Sequence, residues 1–130
     1  MTRVALYAHE EPGRGDVARL DDQVHRLAVQ VARRPGWWPV VTYADCWPSG
    51  RTDRPGLARL LADAARGAFD LVAVAGLARL APDRFARQLL LSRFASVGVR
   101  VVDLRPSGVR RLAAVVADLA LADLIGEAAR

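Results

Sequence analysis

The chain has 130 residues, 52% of them hydrophobic, and its formal net charge is +5. Lysine is absent, so arginine supplies all of the positive charge. These values predict one globular domain with a sizeable core and exclude a disordered chain. No apolar run approaches the ~20 residues of a membrane span. Cys46 is the single cysteine, which excludes a disulfide framework and a cysteine-based zinc site. We find no secretion signal and expect a cytoplasmic protein without membrane partners or cofactors.

The first third of the chain predicts a strand, a helix and a second strand. Residues 3–8 form an apolar run of strand-like composition. Asp16 is a suitable N-cap, and Pro35 with Gly36 stops the helix that follows it. Residues 40–43 form the second strand. The helix has apolar residues at helical spacing at Val17, Leu20, Val24, Leu27, Ala28 and Val31.

The middle of the chain repeats this alternation. A loop over residues 44–55 precedes a second helix that Pro55 opens, and residues 71–75 form a third strand. A turn leads to a third helix of about four turns that ends near Gly98. Residues 99–104 form a fourth strand. The predicted core face of the third helix consists of Phe85, Leu89, Leu90 and Phe94.

Strands that alternate with helices pair in parallel through right-handed crossovers. We therefore predict an α/β fold of three layers, with a mostly parallel sheet of four, possibly five, strands and helices on both faces. Residues 1–130 form one domain, in which 1–104 are the α/β core and 105–130 a C-terminal dimerisation helix.

The last predicted helix, residues 109–128, is apolar on nearly every side, so it must be buried on more than one face. We interpret it as the interface of a homodimer. The alternative is an alanine-rich helix that packs only on its own domain. The expected interface residues are Leu112, Val115, Val116, Leu119 and Leu124.

The first strand ends abruptly at His9, Glu10 and Glu11. Strand ends are where the chemistry of an open α/β sheet lies, so these side chains are candidates for acid–base work on a small substrate. With Asp45 they could ligate a metal, but they lack a ligand spacing, and we predict no metal site. Trp47, in the following loop, is the aromatic residue that we expect to contact a partner.

Four segments, in their order and spacing, resemble the N-terminal catalytic domain of serine recombinases, the resolvases and invertases. They are VALYA at residues 4–8, LDDQ at 20–23, SGRTDRPGL at 49–57, and residues 70–80. The resemblance implies a resolvase-like fold with a long dimerising helix. It also implies DNA strand exchange, in which a serine attacks a backbone phosphate while arginines stabilise the transition state.

The chain departs from this family at the reacting groups. Glu11 stands at the serine position and His9 at an arginine position. The family's lysine, aspartate and second arginine of the fourth segment fall on Gly76, Ala78 and Pro82. Ser49 has no paired base and is a poor substitute nucleophile. No helix-turn-helix domain is expected after the last residue.

We therefore predict a degenerate, catalytically inactive site in which a carboxylate, Glu10 or Glu11, lies where a phosphate would bind. This carboxylate is expected to pair with the residual arginines, Arg79 first and Arg54 second. The alternative is that the two glutamates belong to a solvated loop. The degenerate site comprises His9, Glu10, Glu11, Asp45, Arg54 and Arg79. The candidates for binding DNA or phosphate are Arg51, Arg54 and Arg79.

Three functions follow from the sequence. The first is an inactive recombinase-like domain that dimerises or binds a protein partner. The second is DNA binding through arginine without chemistry, which a basic surface favours although these arginines are scattered among aspartates. The third is a new acid–base activity at His9, Glu10 and Glu11.

Overall fold

The computed structural model describes residues 1–48 and 54–105. Strands and helices alternate along these residues as the sequence predicts. The strands are β1 Thr2–Glu10, β2 Trp37–Cys46, β3 Leu71–Val74 and β4 Arg100–Asp103. The helices are α1 Asp16–Ala32, α2 Pro55–Ala65 and α3 Arg84–Ser96, with a short 3₁₀ turn at Leu77–Arg79.

The four strands form one parallel sheet in the order β2-β1-β3-β4. β1 pairs with β2 as far as Glu10 opposite Cys46, but with β3 only as far as Tyr7 opposite Val74. The end of β1 therefore extends beyond its pairing with β3. Because the strand order reverses between β1 and β3, a crevice opens there at the carboxyl ends of the strands.

Helices cover both faces of the sheet and enclose two cores. Side chains alternate along β1, so Ala5 and Tyr7 pack with α2 and α3, while Val4 and Leu6 pack with α1. The predicted three-layer α/β arrangement, with a parallel four-stranded sheet, is confirmed.

Both long strands exceed their predicted bounds. We predicted β1 to end at Ala8 and β2 to span only residues 40–43, but their mutual pairing continues to Glu10 and Cys46. Backbone pairing does not require apolar side chains, so a polar end of a strand is hard to find from composition. His9 and Glu10 consequently belong to the sheet rather than to a loop.

The predicted core face of α3 is wrong in part. Phe85 is 72% exposed and Leu89 55% exposed, whereas Leu91 and Phe94 are buried. Successive residues of a helix are separated by ~100°, which places Phe85 about 180° from Phe94 and Leu89 about 200° from Leu91. One sheet cannot cover both sides of the helix.

The start of α1 also differs from the prediction. Val17 is 68% exposed and does not belong to the core face, which Leu27 and Val31 provide. Gly15, with φ of 77°, is the N-cap residue, and Asp16 is the first residue of the helix. The Asp16 carboxylate still accepts hydrogen bonds from the backbone N–H groups of Gly13 and Val17.

Several predicted features lie outside the described residues. They are the loop positions Ser49, Gly50 and Arg51 and the terminal helix with its proposed interface, including Leu112 and Leu119. In the part of the chain that the structure describes, no helix has the length and apolar character needed to cross a membrane.

Candidate functional site

At the end of β1, two side chains form hydrogen bonds with the backbone groups of His9 that border the crevice. The His9 N–H donates to Gln23 Oε1 at 3.0 Å, and Gln23 Nε2 donates to the His9 carbonyl at 3.0 Å. Arg79 Nη1 donates to the same carbonyl at 2.9 Å. These groups replace the strand partner that β3 no longer supplies, which satisfies backbone groups that would otherwise be buried without partners.

Glu10 lies between two guanidinium groups. Its Oε1 is 3.3 Å from Arg19 Nε and its Oε2 is 3.5 Å from Arg79 Nη1, and the Glu10 side chain is only 14% exposed. The carboxylate thus occupies the cationic side of the crevice. The sequence predicts a glutamate beside Arg79, and the structure places Glu10 there.

Glu11 follows the strand and is exposed. Its backbone carbonyl accepts a 3.5 Å hydrogen bond from Arg19 Nη2. Arg19 is therefore a central residue of the crevice, although it is not among the predicted site residues. It lies one helical turn before Gln23, so the helical spacing from Gln23 could have identified it.

His9 points to the opposite face of β1 from Glu10, and it is 4% exposed. Its Nε2 lies 2.8 Å from the carbonyl oxygen of Trp47. A carbonyl only accepts, so Nε2 carries the hydrogen and acts as the donor. The ring therefore links β1 to the segment that follows β2.

Asp45, which we predicted as part of the degenerate site, caps α2. Its Oδ1 accepts from the Gly56 N–H at 2.7 Å, and its Oδ2 accepts from the Leu57 N–H at 2.8 Å and the Tyr7 hydroxyl at 2.8 Å. Burial raises the pKa of the Tyr7 hydroxyl well above its ordinary value, and its hydrogen bond to Asp45 raises it further. A carboxylate with three donors at a helix N-terminus has a structural role.

Gly56 is required for this close approach. A Cβ on Gly56 would lie 2.8 Å from the Ala44 carbonyl oxygen and 2.9 Å from the Asp45 carboxyl group. The first turn of α2 can therefore rest directly on the end of β2.

Arg54 is 4% exposed and points into the protein. Its Nη1 donates to the Arg79 carbonyl at 3.1 Å, its Nη2 donates to the Leu80 carbonyl, and its guanidinium carbon lies 5.9 Å from the centre of the Tyr7 ring. The expected pairing of Arg54 with a glutamate is not found in the described residues. Instead, Arg54 fastens the turn after β3 to the start of α2.

Cys46 ends β2 beside α1, where its thiol donates to Asp16 Oδ2 at 3.4 Å. Desolvation and this hydrogen bond raise the pKa of the thiol, which keeps it protonated and weakly nucleophilic. Among residues 1–48 and 54–105, no group of three or more histidine, cysteine or acidic side chains is arranged to hold a metal ion.

The chain combines a parallel sheet with an arginine-containing crevice at the carboxyl ends of its strands. The chain matches the family described as Resolvase, N terminal domain, over residues 11–126. It therefore belongs to the resolvase family of serine recombinases.

Solved structures of this class resemble the chain closely. The N-terminal catalytic domain of TP901-1 integrase is 27% identical, with a TM-score of 0.68, and the match covers 96% of this chain and 97% of that one. A serine recombinase from Sulfolobus solfataricus is 26% identical, with a TM-score of 0.67, over 92% of this chain and 78% of that one.

The catalytic domain of ISC1926 TnpA, an IS607-like serine recombinase, shares the fold at 24% identity, with a TM-score of 0.72 over 90% of this chain and 77% of that one. No protein with a curated description matches the chain.

Proposed function

We propose that the chain is a resolvase-type domain that has lost strand cleavage and acts by association, through homodimerisation or a protein partner. The observation that carries this proposal is the Glu10 carboxylate, which lies against Arg79 in the crevice. Three features of the described residues support the loss of chemistry, and each concerns a group that cleavage would need.

The first feature is the position of the nucleophile. Glu11 stands where the family has serine. A carboxylate 4 Å from a phosphate diester is repelled by about 4 kcal/mol at an effective dielectric constant of ~20. An aspartyl-type nucleophile overcomes such repulsion only among unpaired cations.

The second feature is that Arg79 is already engaged. Its Nη1 contacts both the Glu10 carboxylate and the His9 carbonyl. A DNA phosphate would have to displace the carboxylate of a partly buried pair, and the glutamate would lose its partner. The crevice therefore favours its own carboxylate over an external phosphate.

The third feature is the burial of Arg54. With 4% exposure and its donors directed at the Arg79 and Leu80 carbonyls, Arg54 is turned away from solvent. A guanidinium in this position stabilises the turn but does not reach a phosphate on the surface.

The loss of cleavage is tested with purified chain and DNA from its host. A serine recombinase reaction leaves a covalent protein–DNA link, which survives denaturing detergent. We expect no such adduct from the chain. An adduct that disappears in the Glu11→Gln variant would overturn the proposal, because Glu11 would then be the nucleophile.

Association rests on the apolar sequence of residues 109–128, which we propose as a dimerisation segment. Light scattering is expected to give the mass of a dimer, and Leu112→Arg or Leu119→Arg is expected to give a monomer. Leu89→Arg, at a position that is 55% exposed on α3, serves as the control for adding charge. An unchanged mass in both interface variants would contradict this part of the proposal.

DNA binding without chemistry is the second candidate, and the net charge of +5 favours it. Binding of this kind falls steeply as salt concentration rises. A gel-shift titration separates the two functions: a salt-sensitive shift of duplex DNA supports DNA binding, and no shift at low salt excludes it.

A further inference from the structure

β2 is an edge strand. It pairs with β1 on one side, and no strand of residues 1–48 and 54–105 pairs with its other side. The edge of a sheet presents backbone N–H and C=O groups to which another extended chain can bind. The outer edge of β2 is therefore a surface whose chemistry specifies the kind of partner that fits it.

The pairing with β1 shows which backbone groups of β2 face outward. The Thr2 N–H donates to the carbonyl just before β2, whereas the Arg3 carbonyl accepts from the N–H just before β3. Even-numbered residues of β1 therefore face β2, and Leu6, opposite Thr42, is one of them. In a parallel ladder, only one residue of such an opposed pair directs its backbone groups at the other strand. The N–H and C=O of Thr42 therefore point away from the sheet.

Only part of this edge is open. Pro39 has no N–H, and a β-bulge follows it. Proline and bulges hinder the pairing of an edge strand with another chain. At the other end, the first turn of α2 rests on the Ala44 carbonyl, because Gly56 allows a close approach there. The open stretch lies between these two points, and Thr42 and Ala44 in it are exposed.

A groove of about 300 Å³ lies along this stretch, between β2 and α2. Residues 41–45 of β2 line it in succession, although successive side chains of a strand point to opposite faces. The groove therefore lies at the edge of the strand and not on one face of the sheet. Gly56, Arg59 and Asp63, on successive turns of α2, form the opposite wall. At ~3.3 Å per residue, the open stretch matches an extended segment of about four residues.

Arg59 gives the groove a positive charge. Its side chain is exposed, and it pairs with no carboxylate in the described part of the chain. Asp63 is already engaged, because it accepts from the Tyr43 hydroxyl and pairs with Arg66. Asp45, the other carboxylate of the groove, is 2% exposed and caps α2. An acidic side chain of a bound segment is therefore the group that complements Arg59.

We propose that the outer edge of β2 binds an extended, acidic segment of a partner protein by strand addition. The backbone of the segment pairs with the outward N–H and C=O of Thr42, and an acidic side chain pairs with Arg59. Backbone pairing supplies affinity, and the guanidinium selects for negative charge. This inference goes beyond the proposed function, since it requires neither the loss of cleavage nor residues 109–128.

Three synthetic pentapeptides with blocked ends test the proposal on the full chain. The first is Thr-Val-Glu-Val-Thr, the second has glutamine in place of glutamate, and the third has N-methyl groups on its valines and glutamate. Titration followed by backbone amide shifts in NMR is expected to show saturable binding of the first peptide, centred on residues 41–44. The second is expected to bind about fivefold more weakly, because it lacks an exposed ion pair. The third lacks the N–H donors and is expected not to bind. Equal binding of all three would overturn strand addition.

Variants locate the site. Thr42→Pro removes the outward N–H, which forms no bond within the sheet, and proline is tolerated at such an edge position. It is expected to abolish binding of the first peptide while the other amide shifts stay native. Thr42→Ala keeps the N–H and is expected to bind normally. Full binding by Thr42→Pro would overturn the proposal. So would a change from dimer to monomer in that variant, because a second copy would then occupy the edge.

The charge preference is tested separately. Arg59→Gln is expected to bind the glutamate and glutamine peptides equally. Arg93→Gln removes the same charge from α3 and is expected to keep the fivefold preference for glutamate. A preference for glutamate that survives Arg59→Gln would overturn the assignment of an acidic partner.

Discussion

On the two faces of the sheet, polar residues near the ends of β1 and β2 have different surroundings. On the α2 face, Tyr7 and Asp45 are buried and bonded at 2.8 Å. On the α1 face, Glu10 is held by ion pairs of 3.3 and 3.5 Å to partly exposed arginines. The first arrangement is a buried hydrogen bond, whereas the second is a set of ion pairs whose arginines stay partly open to solvent. Asp45 and Glu10 both lie at strand ends, but they differ in burial and therefore in role.

Asp45→Ala is expected to give the largest effect. It removes the acceptor of two backbone N–H groups and the Tyr7 hydroxyl, all in a buried place, and is expected to lower the free energy of unfolding by about 3 kcal/mol. Urea denaturation measures this change. Asp83→Ala removes the exposed N-cap of α3, whose side chain accepts from the Ala86 N–H, and is expected to cost only ~1 kcal/mol. Equal losses of unfolding free energy in Asp45→Ala and Asp83→Ala would show that the burial of Asp45 adds nothing to its contribution to stability.

Gln23→Leu is expected to have the next largest effect. It removes the two hydrogen bonds that the Gln23 side chain forms with the His9 backbone. The buried His9 N–H then has no acceptor, while Arg79 still donates to the His9 carbonyl. We expect a loss of about 2 kcal/mol in urea denaturation. Gln30→Leu, also on α1, is the matched control, and a loss as large in that variant would mean that the side chain volume, not the hydrogen bonds, causes the effect.

Asp70→Asn is expected to have the smallest effect, because the Arg3 and Asp70 side chains are 46% and 42% exposed. Hydrogen bonding to Arg3 lowers the pKa of Asp70 in the folded chain. The pair therefore stabilises the fold above the unfolded pKa, and this contribution disappears as the pH falls through the folded pKa.

The variant is expected to be less stable than the parent by under ~1 kcal/mol at pH 7, and this difference is expected to shrink as the pH falls below the ordinary pKa of an aspartate. Chemical denaturation at pH 7 and at a series of lower pH values measures the difference. A gap that widens toward acid would contradict the assigned direction of the pKa shift.

Much of the fold could be predicted from the sequence, because the spacing of apolar residues identifies the strands and helices, and proline and glycine mark where they begin or end. The period of α3 was ambiguous, since Phe85 and Phe94 both looked like core residues yet lie on opposite sides of the helix. Only the packing against the sheet selected Phe94 and Leu91.

The candidate site could be predicted less completely. The pairing of a glutamate with Arg79 followed from the expected adjacency of the first and third strands. The capping role of Asp45 and the inward direction of Arg54 depend on contacts between distant segments, which no local pattern encodes. The ion pair between Arg19 and Glu10 likewise joins two elements, and the only local signal for Arg19 was its spacing from Gln23 on α1.

We propose that Glu10 occupies the cationic side of the crevice in place of a phosphate. Calorimetric titration with inorganic phosphate tests it on the parent, Glu10→Gln and the double variant Glu10→Gln/Arg79→Gln. We predict no measurable binding by the parent, measurable binding by Glu10→Gln, and its loss in the double variant. Equal phosphate affinity of the parent and Glu10→Gln would show that Glu10 does not keep phosphate out of the crevice.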